Sequence, residues 1–367
     1  MILPRIAAAF LIGMLPGNIR AQDVILHPDP AASLTQRWGW ATTESRDVCT
    51  HGCWIGYSIQ RMMEVNSYSG WYSSHRTQHP TLQMLVYGRE VEPTPAATEE
   101  RRVTEIHDRE GASRRVLKEV AVLFRFASGG QSLRDVRISN ISLPVELDEL
   151  PLVWLGPADQ PESLELLKEQ YARAPITEQK EELVGAVGMH DAVELVVPFL
   201  REVLASKENN EVREQAVFWL AETQDPDILP LLERTARGDT SEDVREQAVF
   251  GISRIETEAA DELLISLARN LDDRETREQA IFWLGQKASK KAAANLEDIA
   301  ENDPDVEIQK KAVFAISELP DDDGIPRLIS IARNHRNAKV RHEAIFWLGE
   351  SGDPRAVDVL VQIVRGR

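Results

Sequence analysis

Cys49 and Cys53, in the run Cys49-Thr-His-Gly-Cys53, are the only thiols in the chain. Two thiols so spaced can oxidise to a local disulfide, or join His51 as metal ligands. A structural zinc site takes four ligands, and no second cluster supplies the fourth. The spacing also differs from the Cys-x-x-Cys-His of covalent haem. A disulfide between Cys49 and Cys53 is therefore expected, in an oxidising compartment. Three further groups of ionisable residues stand out: His190-Asp191, Asp321-Asp322-Asp323-Gly324 and His342-Glu343. None comes with a nucleophile or a ligand set at the required spacing, and the aspartates read as a solvated turn. With no Ser/His/Asp set, phosphate loop or paired carboxylates, no catalytic residue, metal or cofactor is expected. The remaining candidates are aromatic. Phe218, Phe250, Phe282, Phe314 and Phe346 recur at one fixed interval, and a regular aromatic strip can receive a protein or peptide partner.

That interval belongs to a repeat. Glu211-Val-Arg-Glu-Gln-Ala-Val-Phe-Trp-Leu220 returns as Asp243–Ile252, Glu275–Leu284, Glu307–Ile316 and Lys339–Leu348. Its alanines fall at 216, 248, 280, 312 and 344, every 32 residues without an insertion. Val212, Ala216, Trp219 and Leu220 make a helical i, i+4, i+7, i+8 stripe. A second helix follows, opening at Asp225-Pro226 in one unit and Asp353-Pro354 in another, an N-cap with proline at the first helical position. One unit cannot bury its stripe alone, so the units must stack into an α-solenoid. Pro198-Phe-Leu200 matches Pro230-Leu-Leu232 and adds a sixth unit, and Trp154-Leu-Gly156 reads as the start of a degenerate one. The solenoid is thus placed at residues 152–367.

Position nine of the motif alternates Trp219, Gly251, Trp283, Ala315, Trp347. The expectation is that a tryptophan of one unit lies over the missing side chain of the next. At 100° per residue Phe218 points away from the core stripe, which leaves inter-unit contact or partner binding as its use. Arg213, Arg245, Arg277 and Arg341 are expected to bond acids of the preceding turn. Val359 and Ile363 in the last helix suggest an apolar end through which a homo-oligomer could form.

Val-Arg-x-x-Ala, then Leu-Gly, the Gly352-Asp353-Pro354 turn and a second apolar helix resemble the HEAT-like repeats of the phycobilisome lyase type. The resemblance covers roughly residues 177–367. It implies an interaction scaffold. A lyase role is not supported, since the repeats hold no bilin-bearing cysteine. Deoxyhypusine hydroxylase is a HEAT-like solenoid too, with His-Glu pairs holding a di-iron centre, and supplies the enzymatic alternative, a metal-dependent oxidoreductase. Here His342-Glu343 is one pair among Glu214-Gln215, Glu246-Gln247, Glu278-Gln279 and Lys310-Lys311. One pair cannot furnish two metals. Alkylpurine DNA glycosylases share the architecture but need a basic concave face.

A net charge of −18 among 367 residues opposes any phosphate backbone, so nucleic acid is not an expected partner. Arg5, the apolar run Ile6–Leu15, Pro16-Gly17 and Ala21 make a secretory signal peptide over residues 1–21. The run is too short to span a bilayer, so a periplasmic or secreted protein is expected. Residues 23–150 lack the repeat. Trp54–Ile59, Lys118–Phe126 and Asp135–Ser142 read as strands, with Ala127-Ser-Gly-Gly-Gln-Ser132 as a hairpin turn. A small β-rich or mixed domain is expected there, with Trp38, Trp40, Trp54 and Trp71 mostly in its core. Pro93, Pro95 and Glu99–Arg102 mark a loop.

Overall fold

The computed structural model describes residues 23–43, 47–65, 67, 79–88, 115–130, 132–287, 289–319 and 323–365. The signal segment, Trp71, the loop at Pro93–Arg102 and Asp321-Asp322 lie outside them. The chain divides into two units, Met1–Pro175 and Ile176–Arg367.

In the first unit five strands form one sheet: β1 (Val24–Leu26), β2 (Cys53–Glu64), β3 (Arg115–Phe126), β4 (Leu133–Asn140) and β5 (Leu152–Pro157). Their order is β1-β5-β2-β3-β4, with β5 parallel to both neighbours and the rest antiparallel. Helices α1 (Leu34–Thr43), α2 (Leu82–Tyr87) and α3 (Gln160–Arg173) complete it. Alternation along β2 explains why the sheet is covered twice. Trp54 joins Leu82, Val86, Leu123 and Trp154 in one core. On the other face Tyr57 bonds Ser163 of α3 at 2.8 Å, and Phe124 meets Trp38 of α1 edge-on at 4.9 Å. A strand buried on both sides reads as an unbroken apolar run, which Trp54-Ile-Gly-Tyr57 is. Gly56 is required there, because a Cβ would lie 2.5 Å from the Leu123 side chain.

One boundary moves. Leu152–Leu155 do not open the solenoid; they form β5, buried between β1 and β2. A short apolar run is compatible with either a buried strand or a helix, and strand pairing decided it. The three strands read from the sequence are present, as is the β3–β4 hairpin, where Gly129 and Gly130 carry positive φ. Beside that turn Cys49 and Cys53 are disulfide-bonded, with Cα atoms 4.8 Å apart. The Cys49 carbonyl accepts from Gly52 and Gly129, so the bond shapes one corner. Closing so short a loop contributes no more than about 2 kcal/mol. Cys49→Ser should therefore lower the first unit's unfolding free energy by that amount or less and leave the second unit's transition in place, as calorimetry of the full chain would read.

The second unit holds twelve described helices in six pairs: α4 (Thr177–Gly188) with α5 (Val193–Ala205), α6 (Asn210–Glu222) with α7 (Leu229–Gly238), and α8 (Glu242–Arg254) with α9 (Glu258–Asn270). Next come α10 (Arg274–Gly285) with α11 (Lys290–Asn302), α12 (Val306–Ser317) with α13 (Gly324–Asn334), and α14 (Ala338–Glu350) with α15 (Pro354–Val364). The five repeat alanines are all fully buried. Asn209, Ser241, Asp273, Asp305 and Asn337, spaced like those alanines, cap α6, α8, α10, α12 and α14 through side-chain oxygens. Asp353 caps α15 as expected. Asp225 does not start α7 directly; a 3-10 turn at Pro226–Ile228 comes first, after Gln224 in the left-handed region.

First helices of neighbouring pairs stack on one another, and each second helix packs against the first helices beside it. The arginine series ties these layers together. Arg213 Nε donates to the Leu204 carbonyl and its Nη2 pairs with Asp239. Arg277 does the same with Ala268 and Asp303, and Arg245 pairs with Asp273 at 3.1 Å. Each acid thus lies in the turn after the arginine's own pair, not the turn before, which supplies carbonyls instead. Among the described residues Arg341 bonds only such carbonyls, those of His335 and Arg336.

Candidate interaction surface

The five repeat phenylalanines come together with three tryptophans in one continuous file. Trp219 meets Phe218 at 5.3 Å, Phe218 stacks on Phe250 at 6.4 Å, and Phe250 meets Trp283 at 4.8 Å. Trp283 meets Phe282 at 5.0 Å, Phe282 stacks on Phe314 at 6.4 Å, Phe314 meets Trp347 at 4.9 Å, and Trp347 meets Phe346 at 5.0 Å. Seven of these rings are neither buried nor fully exposed, and Phe346 is 50% exposed. The inter-unit contact expected of the phenylalanines is thus present, from Phe218 to Phe314. Rings of neighbouring units meet along the file, and each ring keeps part of its surface exposed.

The alternation at position nine has a different geometry from the one expected. Gly251 is not covered by a tryptophan; a Cβ there would meet the Ala221 Cβ at 3.1 Å. Ala315 likewise presses on Gly285, where a Cβ would lie 2.8 Å from its carbonyl oxygen. Small residues thus bring α6 to α8 and α10 to α12 into close approach, and at these two joints the phenylalanines stack parallel, with interplanar angles of 7° and 10°. At the joints between, Trp283 and Trp347 reach back to the preceding phenylalanine as wedges, tilted at 50° and 46°. Trp219 instead lies on Gly188, whose Cβ would fall 2.1 Å from the indole. The tryptophans belong to the surface as much as to the stack, which the sequence reading missed. Their adjacency to each phenylalanine was the available signal.

Charge runs beside the rings. Glu214, Glu246 and Glu278 sit one helical turn before Phe218, Phe250 and Phe282, on the same face. Among the described residues no lysine or arginine lies within ion-pair reach of Glu181, Glu214 or Glu246. Burial raises all three carboxyls above the usual range, and nearby acids push the same way: Glu211 and Glu178 on Glu181, and Asp243, Glu211 and Glu181 on Glu214. For Glu246 a hydrogen bond from Gln279 opposes the rise, while Glu242, Asp243 and Asp273 add to it. A carboxyl raised in the folded state favours folding when protonated and penalises it once ionised. Glu214→Gln should thus raise the second unit's melting temperature at pH 7, and the gain should vanish below about pH 4, where both side chains are neutral.

Other residues singled out in the sequence do not converge. His190 is buried, with Nδ1 2.9 Å from the Ala186 carbonyl. His342 is exposed, while Glu343 accepts from Trp347 Nε1 at 3.0 Å and faces Lys310 at 3.8 Å. Trp54 lies in the sheet core and donates to the Leu147 carbonyl. At the far end Val359 is buried; among the described residues the exposed large apolar side chains of α15 are Val357 and Val361. Among the described residues no group of three His, Cys, Asp or Glu side chains could hold a metal ion. No described helix is long and apolar enough to cross a membrane.

No curated protein matches the chain. The family model for HEAT repeats matches residues 197–285, 262–332 and 293–366. Among solved structures, human deoxyhypusine hydroxylase in complex with glycerol is 19% identical, covering 54% of this chain and 77% of that one at a TM-score of 0.25. The Escherichia coli protein YibA is 18% identical, covering 56% and 76% at 0.34. The CpcE–CpcF complex of phycocyanin lyase from a Nostoc species is 17% identical, covering 53% and 79% at 0.32. The unbroken 32-residue period, the paired stacked helices and the matched family model agree: residues 197–366 are HEAT-like repeats, preceded in the chain by a small mixed-sheet unit.

Proposed function

We infer that the second unit is a scaffold that binds a protein or peptide on the face of its first helices, without catalysing a reaction. The fold is one suited to protein interaction. The observation that carries the reading is the file of eight touching rings, only partly covered by their own neighbours. Stacking needs apolar side chains between units; it does not need a connected aromatic row left at the surface. We place this activity outside the cytoplasm, on the strength of the signal-like residues 1–21 and the Cys49–Cys53 bond. A mature form beginning near residue 22 in an extracytoplasmic fraction would agree; an intact Met1 in the cytosol would not.

Placing a photo-crosslinking phenylalanine at 218, 250 or 282, and at exposed positions of α7, α9 and α11, tests the docking face. Covalent adducts to a common partner should form from the ring positions. Adducts only from the second helices, or none from the ring positions, would remove the assignment.

A further inference from the structure

One rung of the row already holds a cation. Lys311 Nζ stands 6.0 Å from the Phe314 ring centroid and 3.6 Å from the Glu278 carboxylate of the preceding unit. The ammonium is seated between an aromatic face and a carboxylate, the combination that binds lysine and arginine side chains. Sixty-four residues upstream, Phe250 and Glu214 repeat the ring and the acid, but Gln247 stands where Lys311 does. The two places share a geometry. Phe218 stacks on Phe250 at 6.4 Å and 7°, and Phe282 on Phe314 at 6.4 Å and 10°. Arg213–Asp239 and Arg277–Asp303 bond alike beneath them. The upstream seat therefore has its ring and its carboxylate without the cation. Glu214 has none within ion-pair reach among the described residues, and its charged neighbours, Asp243, Glu211 and Glu181, are all acidic. The seat between, Phe282 with Glu246, differs because Gln279 hydrogen-bonds that carboxylate.

We propose that a lysine or arginine of a basic peptide segment docks between Phe250 and Glu214, as Lys311 docks in cis between Phe314 and Glu278. This rests on the aromatic row being the docking face and adds the chemistry of the occupant. Acidic neighbours on α4, α6 and α8 favour the same sign of charge, and repel an acidic partner.

The test is fluorescence anisotropy of the full chain with labelled twelve-residue peptides of alternating arginine and serine, glutamine and serine, or glutamate and serine. The arginine peptide should bind in preference to the others. Glu214→Gln and Gln247→Lys should each weaken it about tenfold, or about 1.4 kcal/mol, the second by installing the chain's own cation while leaving every ring in place. Lys311→Gln should do the reverse, opening a second seat and tightening binding. Thermal melts run in parallel should show neither Glu214→Gln nor Gln247→Lys less stable than the parent, which separates lost binding from lost folding. Equal affinity for the three peptides, or unchanged binding by Gln247→Lys, would overturn the cation seat. If crosslinks still map to the rings in that case, the docking face stands and only the occupant is wrong.

Discussion

Replacing Gly285 by leucine should cost the second unit about 3 kcal/mol, the upper end of what overpacking a tight site does. Even a first Cβ at Gly285 would stand 2.8 Å from the Ala315 carbonyl oxygen and 3.0 Å from the Ala315 Cβ. The nearest atom belongs to the backbone of α12, so no rotamer change relieves the overlap and the two helices must separate. Separation also unstacks Phe282 from Phe314, a contact worth about 0.5–1.5 kcal/mol. Urea denaturation followed by helical circular dichroism would read the loss. Gly251→Trp, at the equivalent joint against Ala221, should act in the same direction. Leucine tolerated at 285 with less than about 0.5 kcal/mol lost would mean that the close joints are not tight.

The second large effect is electrostatic. Arg277→Met should destabilise the unit by about 3 kcal/mol, because it strands a buried charge. The Asp303 side chain is only 5% exposed and Arg277 13%. The same arginine donates through Nε to the Ala268 carbonyl at 2.8 Å, so one substitution unties two pairs from each other. Desolvation makes the outcome asymmetric. Removing one partner leaves an uncompensated charge, whereas removing both leaves an apolar contact of similar volume. Arg277→Met combined with Asp303→Leu should therefore recover most of the loss in the same urea titration. If the double substitution costs as much as the single one, the pair is held for geometry and the charge argument fails. Position 309 shows the chain without the pair: Gln309 replaces the arginine and bonds the Glu301 and Asp303 carbonyls of the preceding turn, and His335 stands where the acid would be.

The solenoid was legible because its period is strict. Ala216 and its four counterparts had to face one interior, and they are fully buried. The strands of the first unit were legible for a related reason: Trp54–Ile59 and Lys118–Phe126 are too rich in branched and aromatic residues to be anything but buried sheet. The boundary was not, because Leu152–Leu155 has strand composition next to the helical run Ser163–Leu167, and only the pairing with β1 and β2 separates them. The function of position nine was half legible. The sequence displays the alternation of tryptophan with glycine and alanine, but helical phase alone does not say which neighbouring unit a side chain leans on. It leans back, so Trp283 rests on Phe250, and the glycine serves helix approach rather than ring cover. The charge pattern beside the rings is not legible in the sequence, for a simpler reason. Lys311 stands in a slot that reads Glu-Gln in three other units, and its role depends on Glu278, one unit away in sequence and next to it in space.

The ring row must be the face that takes a basic partner. Labelling the protein with 5-fluorotryptophan gives that claim a direct reading, since Trp219, Trp283 and Trp347 are the only tryptophans of the second unit. On adding the arginine–serine peptide, the Trp283 fluorine resonance should shift most, because its indole lies 4.8 Å from Phe250, beside the proposed seat. Trp347, next to the rung that Lys311 already occupies, should move less, and Trp54 and Trp154 in the sheet core should not move. Shifts confined to the first-unit tryptophans, with Trp283 unmoved at saturation, would contradict the account.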